Sequence, residues 1–146
     1  MIILNEIVKI RTTKELEFIN ITDKIKKFVA KSKVKAGQLV LFSRHTTLAI
    51  KINEDEKLLR KDFDWLMKNI APENLSYEHD KIEKRKNCLA DEPKNAKGHL
   101  RTMLLETSQT IPIKDGLMQL GRYQEIFVIE TSGAREREMV IQIIGN

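Results

Sequence analysis

Cysteine is almost missing from this chain of 146 residues: Cys88 is its only example. A lone thiol closes no disulfide within the chain. That sets aside the disulfide-framed secreted folds and points to a cytoplasmic setting. The charged loop around Cys88 fits an incidental thiol better than a nucleophile or a metal ligand. Aromatic residues are also scarce, at 5%, so the core must be built from Ile, Leu, Val and Met. None of them alternates with the lysines of 24–35 or 81–86, and the stacking platform that single-stranded nucleic acid requires is therefore lacking. The net charge is +5, but Lys and Arg are interleaved with Asp and Glu. These patches read as solvated faces, and nucleic acid is not an expected partner. No apolar run reaches the roughly 18 residues of a membrane span. Met1–Glu6 has no basic region ahead of its apolar residues and reads as a strand, not a signal peptide. There is no Walker loop, no Gly-x-Ser-x-Gly and no Rossmann glycine pattern, which removes most nucleotide-cofactor and serine-hydrolase readings. His-Glu-x-x-His and Cys-x-x-Cys are absent too, so no compact metal motif is written locally.

What is present is an ordered series of amphipathic segments. Ile3–Ile10 and Glu15–Ile21 flank the turn signal Thr12-Thr13-Lys14, and their pattern predicts a hairpin. Thr22 or Asp23 opens a short helix whose inner face is Ile25, Phe28 and Val29, with Ala36-Gly37 as its stop. Gln38–Phe42 and Leu48–Asn53 read as strands around the Ser43–Thr47 turn. Asn53-Glu54-Asp55 suits a helix start, and Leu58, Leu59, Phe63, Leu66, Met67 and Ile70 trace one stripe as far as Pro72. Glu73–Pro93 has no periodicity, and a loop of that length in a compact domain is usually functional. Asn95–Glu106 resumes helical spacing. Thr110–Ile113, the Lys114-Asp115-Gly116 turn, Leu117–Leu120, Glu125–Thr131 and Met139–Ile144 complete a strand-rich last third. The size fits one domain, residues 1–146. The order of elements predicts an α+β fold with a mainly antiparallel sheet.

All three histidines sit in polar clusters. His45 ends an apolar strand and precedes two threonines, where an imidazole can bind an anion, move a proton or simply bond to nearby backbone. His79 is followed by Asp80, a carboxylate able to orient the ring if the two meet in space. Asn95 and His99 stand one helical turn apart on one face, and Asn95 also suits the helix N-cap. Together His45, His79 and His99 match a facial metal triad in residue type, although not in spacing. Asp62 continues the direction of Leu58 and Leu59, which places it near the buried side of its helix and in need of a partner. The expectation is a single wet cavity holding all three imidazoles, roofed by the irregular middle segment.

Read in order, His45-Thr46-Thr47, Ile52-Asn53-Glu54, Asp62, His79-Asp80, Asn95-Ala96, His99-Leu100, Thr110–Ile113 with Gly116, Leu120-Gly121 with Gln124, Glu130, and Gly133 with Arg135 resemble the YjbQ family. This group is also catalogued as UPF0047 and labelled secondary thiamine-phosphate synthase. The likeness runs from about Gly37 to the C-terminus. It implies an α+β fold whose mixed, mainly antiparallel sheet curls into a half-barrel with about three helices. It also implies a homotrimer with polar pockets near the subunit contacts, acting on a small phosphorylated metabolite. Carried over by position, the matching polar residues are His45, Asn53, Asp62, His79, Asp80, Asn95, His99, Gln124 and Glu130. Some members have weak thiamine-phosphate synthase activity, which joins a pyrimidine diphosphate to a thiazole phosphate and expels pyrophosphate. In that reading the histidines hold the diphosphate, or Mg²⁺ or a transition metal beside it, with Asn95 as a neutral donor and Asp62, Asp80 or Glu130 as anchors. The alternatives are a three-histidine metal hydrolase or lyase, and a trimeric binding protein without catalysis. The sequence departs from the family pattern at Glu106-Thr107, usually Gly-Ser, at Arg122-Tyr123, usually Thr-Trp, and at Gly98, usually alanine. A bulky acid at Glu106 is expected to narrow or recharge the pocket.

Overall fold

In the computed structural model, which describes every residue except Asn87 and Ala90, three helices lie against antiparallel sheet curled into a half-barrel. The chain runs β1 (Ile2–Arg11), β2 (Glu17–Asn20), α1 (Thr22–Ser32), β3 (Ala36–Ser43), β4 (Leu48–Asn53), α2 (Lys57–Ile70), α3 (Ala96–Met103), β5 (Ser108–Lys114), β6 (Leu117–Met118), β7 (Glu125–Glu130) and β8 (Glu136–Gly145). The larger ladder has the order β1-β8-β3-β5-β6 and the smaller β2-β7-β4. Every pairing among the described residues is antiparallel. The ladders are stitched together at the β4–β5 margin. There the Ile50 amide donates to the Glu106 carbonyl at 2.9 Å, and Gln109 Nε2 donates to the Ile50 carbonyl at 2.9 Å. Leu39, Leu41, Ile141 and Ile143 of the larger sheet meet Ile50, Ile126 and Val128 of the smaller, and Ile25 and Val29 of α1 close the core. In β8 the inward positions alternate strictly, as a strand with one face on a core must.

The predicted hairpin of the first two strands does not form. β1 pairs with β8 from Ile2↔Gly145 to Arg11↔Glu136, and β2 pairs with β7. The turn residues carry the chain from one sheet to the other instead. Thr12 Oγ1 donates to Glu130 at 2.9 Å, and the Glu17 carboxylate accepts from the Thr13 amide at 2.6 Å. A local turn signal does not distinguish a hairpin from a crossover, because the partner strands lie more than a hundred residues away.

Helix boundaries shift for similar reasons. α1 ends at Ser32, where Lys33 takes a left-handed conformation (φ 60°). Ala36-Gly37 opens β3, and there β3 lies so close to β8 that a side chain at Gly37 would run into the Ile144 carbonyl. α2 starts after Glu56, whose carboxylate accepts from the amides of Leu58 (2.9 Å) and Leu59 (2.8 Å). Asp55 instead binds Arg60. Asp115 (φ 54°) and Gly116 (φ 78°) make the expected tight hairpin between β5 and β6. The segment 73–93 holds two single 3₁₀ turns, Glu78–Asp80 and Ile82–Lys84. Among the described residues, no helix is long and apolar enough to cross a membrane.

Candidate functional site

The site is built at the N-terminus of α3. Asn95 precedes that helix, but its side chain caps nothing. The cap comes from sixteen residues upstream, where Asp80 Oδ1 accepts from the Ala96 amide at 2.9 Å. A carboxylate is favoured at this positive end of the helix. The bond docks the Glu78–Asp80 turn onto α3 and brings His79 against His99, with ring centroids 4.9 Å apart and planes at 70°. The two rings line a groove of about 290 Å³ with Tyr77, Glu78, Ala96 and Leu100. Tyr77 is fixed by a 2.8 Å bond from its hydroxyl to the Pro72 carbonyl. Gly98 seats α3 from below. A Cβ there would lie 2.9 Å from both the Thr131 carbonyl and Ser132 Cβ, and Thr102 and Thr131 share a 2.7 Å hydroxyl contact.

This region carries buried polar atoms with nothing to bind. His79 Nε2, Arg85 Nη1, Asn95 Oδ1 and Ser132 Oγ are closed off from solvent and have no hydrogen-bond partner among the described residues. Buried polar groups are normally paired, so each such atom calls for an explanation. Burial lowers the pKa of His99 below 6.5, and the neighbouring His79 and Arg85 push it further down against the opposing Glu92 and Asp80. The ring is therefore neutral near pH 7.

His45 belongs to a different neighbourhood. Its Nε2 accepts from the Glu138 amide of β8 at 2.8 Å. Burial, then the Arg137 charge, lowers its pKa below 6.5. Beside it Glu130 is completely buried and accepts five hydrogen bonds. They come from Arg137 Nε (2.7 Å) and Nη2 (2.5 Å), Thr12 Oγ1 (2.9 Å), and the amides of Thr131 (3.0 Å) and Ser132 (2.9 Å). Burial alone would raise the pKa of this carboxylate. The Arg137 bond and charge, with the Ser132 amide, outweigh it and hold the group below 4.5.

Within one chain, His79 and His99 meet in one groove and His45 stands outside its lining. The ring of His45 is turned to the β8 backbone, which occupies its Nε2. Among the described residues, no three His, Cys, Asp or Glu side chains are grouped to hold a metal ion. Asp80, the carboxylate beside the histidine pair, commits Oδ1 to the helix cap. Asp62 is exposed, because the inward residues of α2 are Phe63, Met67 and Ile70 and a neighbour in sequence turns about 100° away. Leu58 and Leu66 of the predicted stripe are exposed with it. Asn53 lies at a second, apolar groove between α2 and the smaller sheet, its Oδ1 accepting from the Glu54 amide at 2.8 Å. Gln124 is exposed and braces its own turn by accepting from the Gly121 amide at 2.8 Å. Glu106 pairs with Lys51 at 2.6 Å, on the rim of that apolar groove, and is not part of the histidine groove.

Sequence reasoning missed Arg137, Arg85 and Arg101. Arg137 shares the inward phase of Met139 and Ile141, and that phase was the available signal. Arg101 is buried and donates to the carbonyls of Met67 and Ala71, both at 3.0 Å, closing the end of α2. Arg85 lies in the aperiodic segment, where no pattern marks it.

The family model described as UPF0047 protein YjbQ-like matches residues 6–146. A UPF0047 protein of Methanothermobacter thermautotrophicus is 37% identical over 93% of this chain and 88% of its own length. Another, of Methanocaldococcus jannaschii, is 35% identical over 94% and 92%. Among solved structures, a YbjQ-like protein of unknown function from Sulfolobus solfataricus superposes with a TM-score of 0.87 at 29% identity, covering 99% of this chain and 98% of that one. A yjbq/upf0047 family protein of Clostridium acetobutylicum gives 0.82 at 31% identity, covering 95% and 99%. With sequence and fold matched along nearly its whole length, this chain belongs to the YjbQ-like UPF0047 family.

Proposed function

We propose that the His79–His99 groove binds a small phosphorylated metabolite, and that the chain is a cytoplasmic transferase of the thiamine-phosphate synthase type. The observation that supports this is the pair of imidazoles in contact beside buried polar atoms that lack partners. In the reaction, the bond between the pyrimidine methylene carbon and the diphosphate oxygen breaks, and pyrophosphate leaves with the electron pair. The thiazole nitrogen then closes a carbon–nitrogen bond with its lone pair. No strong base is needed; the requirement is for donors aimed at the developing charge of the leaving group. Neutral His99, the His79 ring and the Asn95 amide have that character. The test supplies a pyrimidine diphosphate, a thiazole phosphate and Mg²⁺, and reads thiamine phosphate by chromatography. Product is expected with the native chain, and at least tenfold less with His99→Ala. No product, or equal product, sinks the reading.

A second reading is favoured by His79 Nε2, an atom of a metal-binding type that has no partner among the described residues. Near-stoichiometric Zn, Fe, Ni or Mn in untagged protein would support a metal hydrolase or lyase whose remaining ligands come from another chain. A rise in melting temperature with a phosphorylated ligand, but no turnover, would instead favour a binding protein. Assembly as a homotrimer is part of the proposal. Trp65, Leu66, Met103 and Leu104 leave a large apolar surface in the open. Light scattering should read three times the 17.0 kDa chain mass; a monomer would overturn it.

A further inference from the structure

The segment 73–95 contains one cation placed as ligand-binding cations are placed. Arg85 follows the Ile82–Lys84 turn, and its side chain is largely withdrawn from solvent. One edge of the guanidinium is fixed: Nη2 donates to Glu92 Oε1 at 3.2 Å. The other edge is not, since Nη1 is buried and has no acceptor among the described residues. Arginine presents five N–H donors in a rigid fork, and a buried one without an acceptor is uncommon in a settled interior. Two further atoms of the same segment are in the same condition. One is Nε2 of His79, a residue that lines the groove, and the other is Asn95 Oδ1 at the start of α3. Charge points the same way, since the guanidinium is close enough to His99 to disfavour its protonation.

We propose that Arg85, which stands near His99 but does not line the groove, recognises the anionic phosphoryl group of a ligand bound beside the His79–His99 pair, through Nη1. The inference rests on the reading that this groove takes phosphorylated ligands. Glu92 has a definite part in it. By holding Nη2, it sets the plane of the guanidinium and leaves Nη1 as the donor that a phosphate oxygen completes. A bidentate or end-on pair of this kind suits phosphate better than a lysine ammonium does, because the fork is planar and already oriented. Arg85 is therefore a specificity residue for the phosphate end of the ligand, while the imidazoles face the bond that breaks.

The probe is inorganic pyrophosphate, titrated calorimetrically into the native chain, Arg85→Gln and Arg85→Lys, with melting temperatures taken with and without it. The native chain is expected to bind pyrophosphate. Arg85→Gln should bind at least tenfold more weakly, and Arg85→Lys should fall between them. In the absence of pyrophosphate, Arg85→Gln should melt no lower than the native chain, because it removes an unsatisfied donor. A purely structural clasp to Glu92 predicts a lower melting temperature and unchanged affinity, and that result would overturn the proposal. Equal binding by native chain and Arg85→Gln overturns the role of Arg85 and leaves the phosphate reading of the groove standing. No pyrophosphate binding by the native chain overturns the role of Arg85, and the phosphate reading of the groove falls with it if the synthase assay also gives no product.

Discussion

Two polar sites lie on either side of the Glu130–Ser132 stretch, and they are opposites. Around Glu130 every lone pair is used: five donors from β8, from the β1–β2 connection and from the chain just beyond β7 converge on one buried carboxylate. Around His79, Arg85 and Asn95, buried polar atoms exceed their partners. Burial and charge do not separate the two, since the more deeply buried group is the saturated one. Satisfaction separates them. A saturated network fastens strands together and has no valence left for a ligand, whereas an unsatisfied one keeps its valence for something that arrives later.

The strongest test of that distinction compares Glu130→Ala with Asn95→Ala. Glu130→Ala leaves Arg137 buried, at 3% exposure, without its counter-charge. Breaking a buried pair from one side costs roughly 3–5 kcal/mol, so the urea midpoint should fall sharply or folding should fail. Asn95→Ala removes an acceptor with no partner among the described residues, and its effect on the midpoint should stay within about 0.5 kcal/mol. Comparable losses in both variants would break the comparison.

A smaller effect is expected at Asp80, which belongs to both categories. It satisfies the Ala96 amide and thereby docks the turn that carries His79. Asp80→Ala should cost about 1 kcal/mol, the usual value of a helix cap. It should also part the two rings, seen as loss of the mutual ring-current shift between His79 and His99 by NMR. A stability loss with the ring pair intact would show that the cap and the site are independent.

How much of this was legible in the sequence divides along the same line. The α+β class, the three helices, the tight Asp115-Gly116 turn and the apolar core strands follow from periodicity and turn chemistry, which are local. The pairing of β1 with β8 is not local, and neither is the cap supplied by Asp80, so both were missed. Of the carried-over residues, His79, Asp80, Asn95 and His99 are brought together because one hydrogen bond closes the aperiodic segment. His45 and Glu130 share the fastening network around Arg137 instead. Asp62 was misplaced because α2 fully buries Met67, half-buries Phe63 and Ile70 and leaves Leu58 and Leu66 exposed, so the apolar stripe overstated the width of the buried face.

The smallest effect is a pH dependence that both sites contribute to and a ligand can divide. His45 and His99 have native pKa values below 6.5. The unfolded chain therefore takes up protons near pH 6.5 that the native chain refuses, and stability falls as pH drops from 6.5 through the two native values. Well above 6.5 both rings are neutral in either state and contribute no slope. Glu130, Asp55 and Glu106, each lowered from its ordinary carboxylate value, add their own losses only at more acidic pH. Urea midpoints at pH 7.5 and 5.5 should show the decline, and His45→Gln and His99→Gln should each remove part of it. Pyrophosphate distinguishes the two parts. Its negative charge beside His99 favours the protonated ring and should flatten that share of the slope. The His45 share should persist, because Nε2 is committed to the Glu138 amide. If pyrophosphate flattened the slope of His99→Gln as well, the anion would be acting at the saturated site, and the division drawn between the two would be wrong.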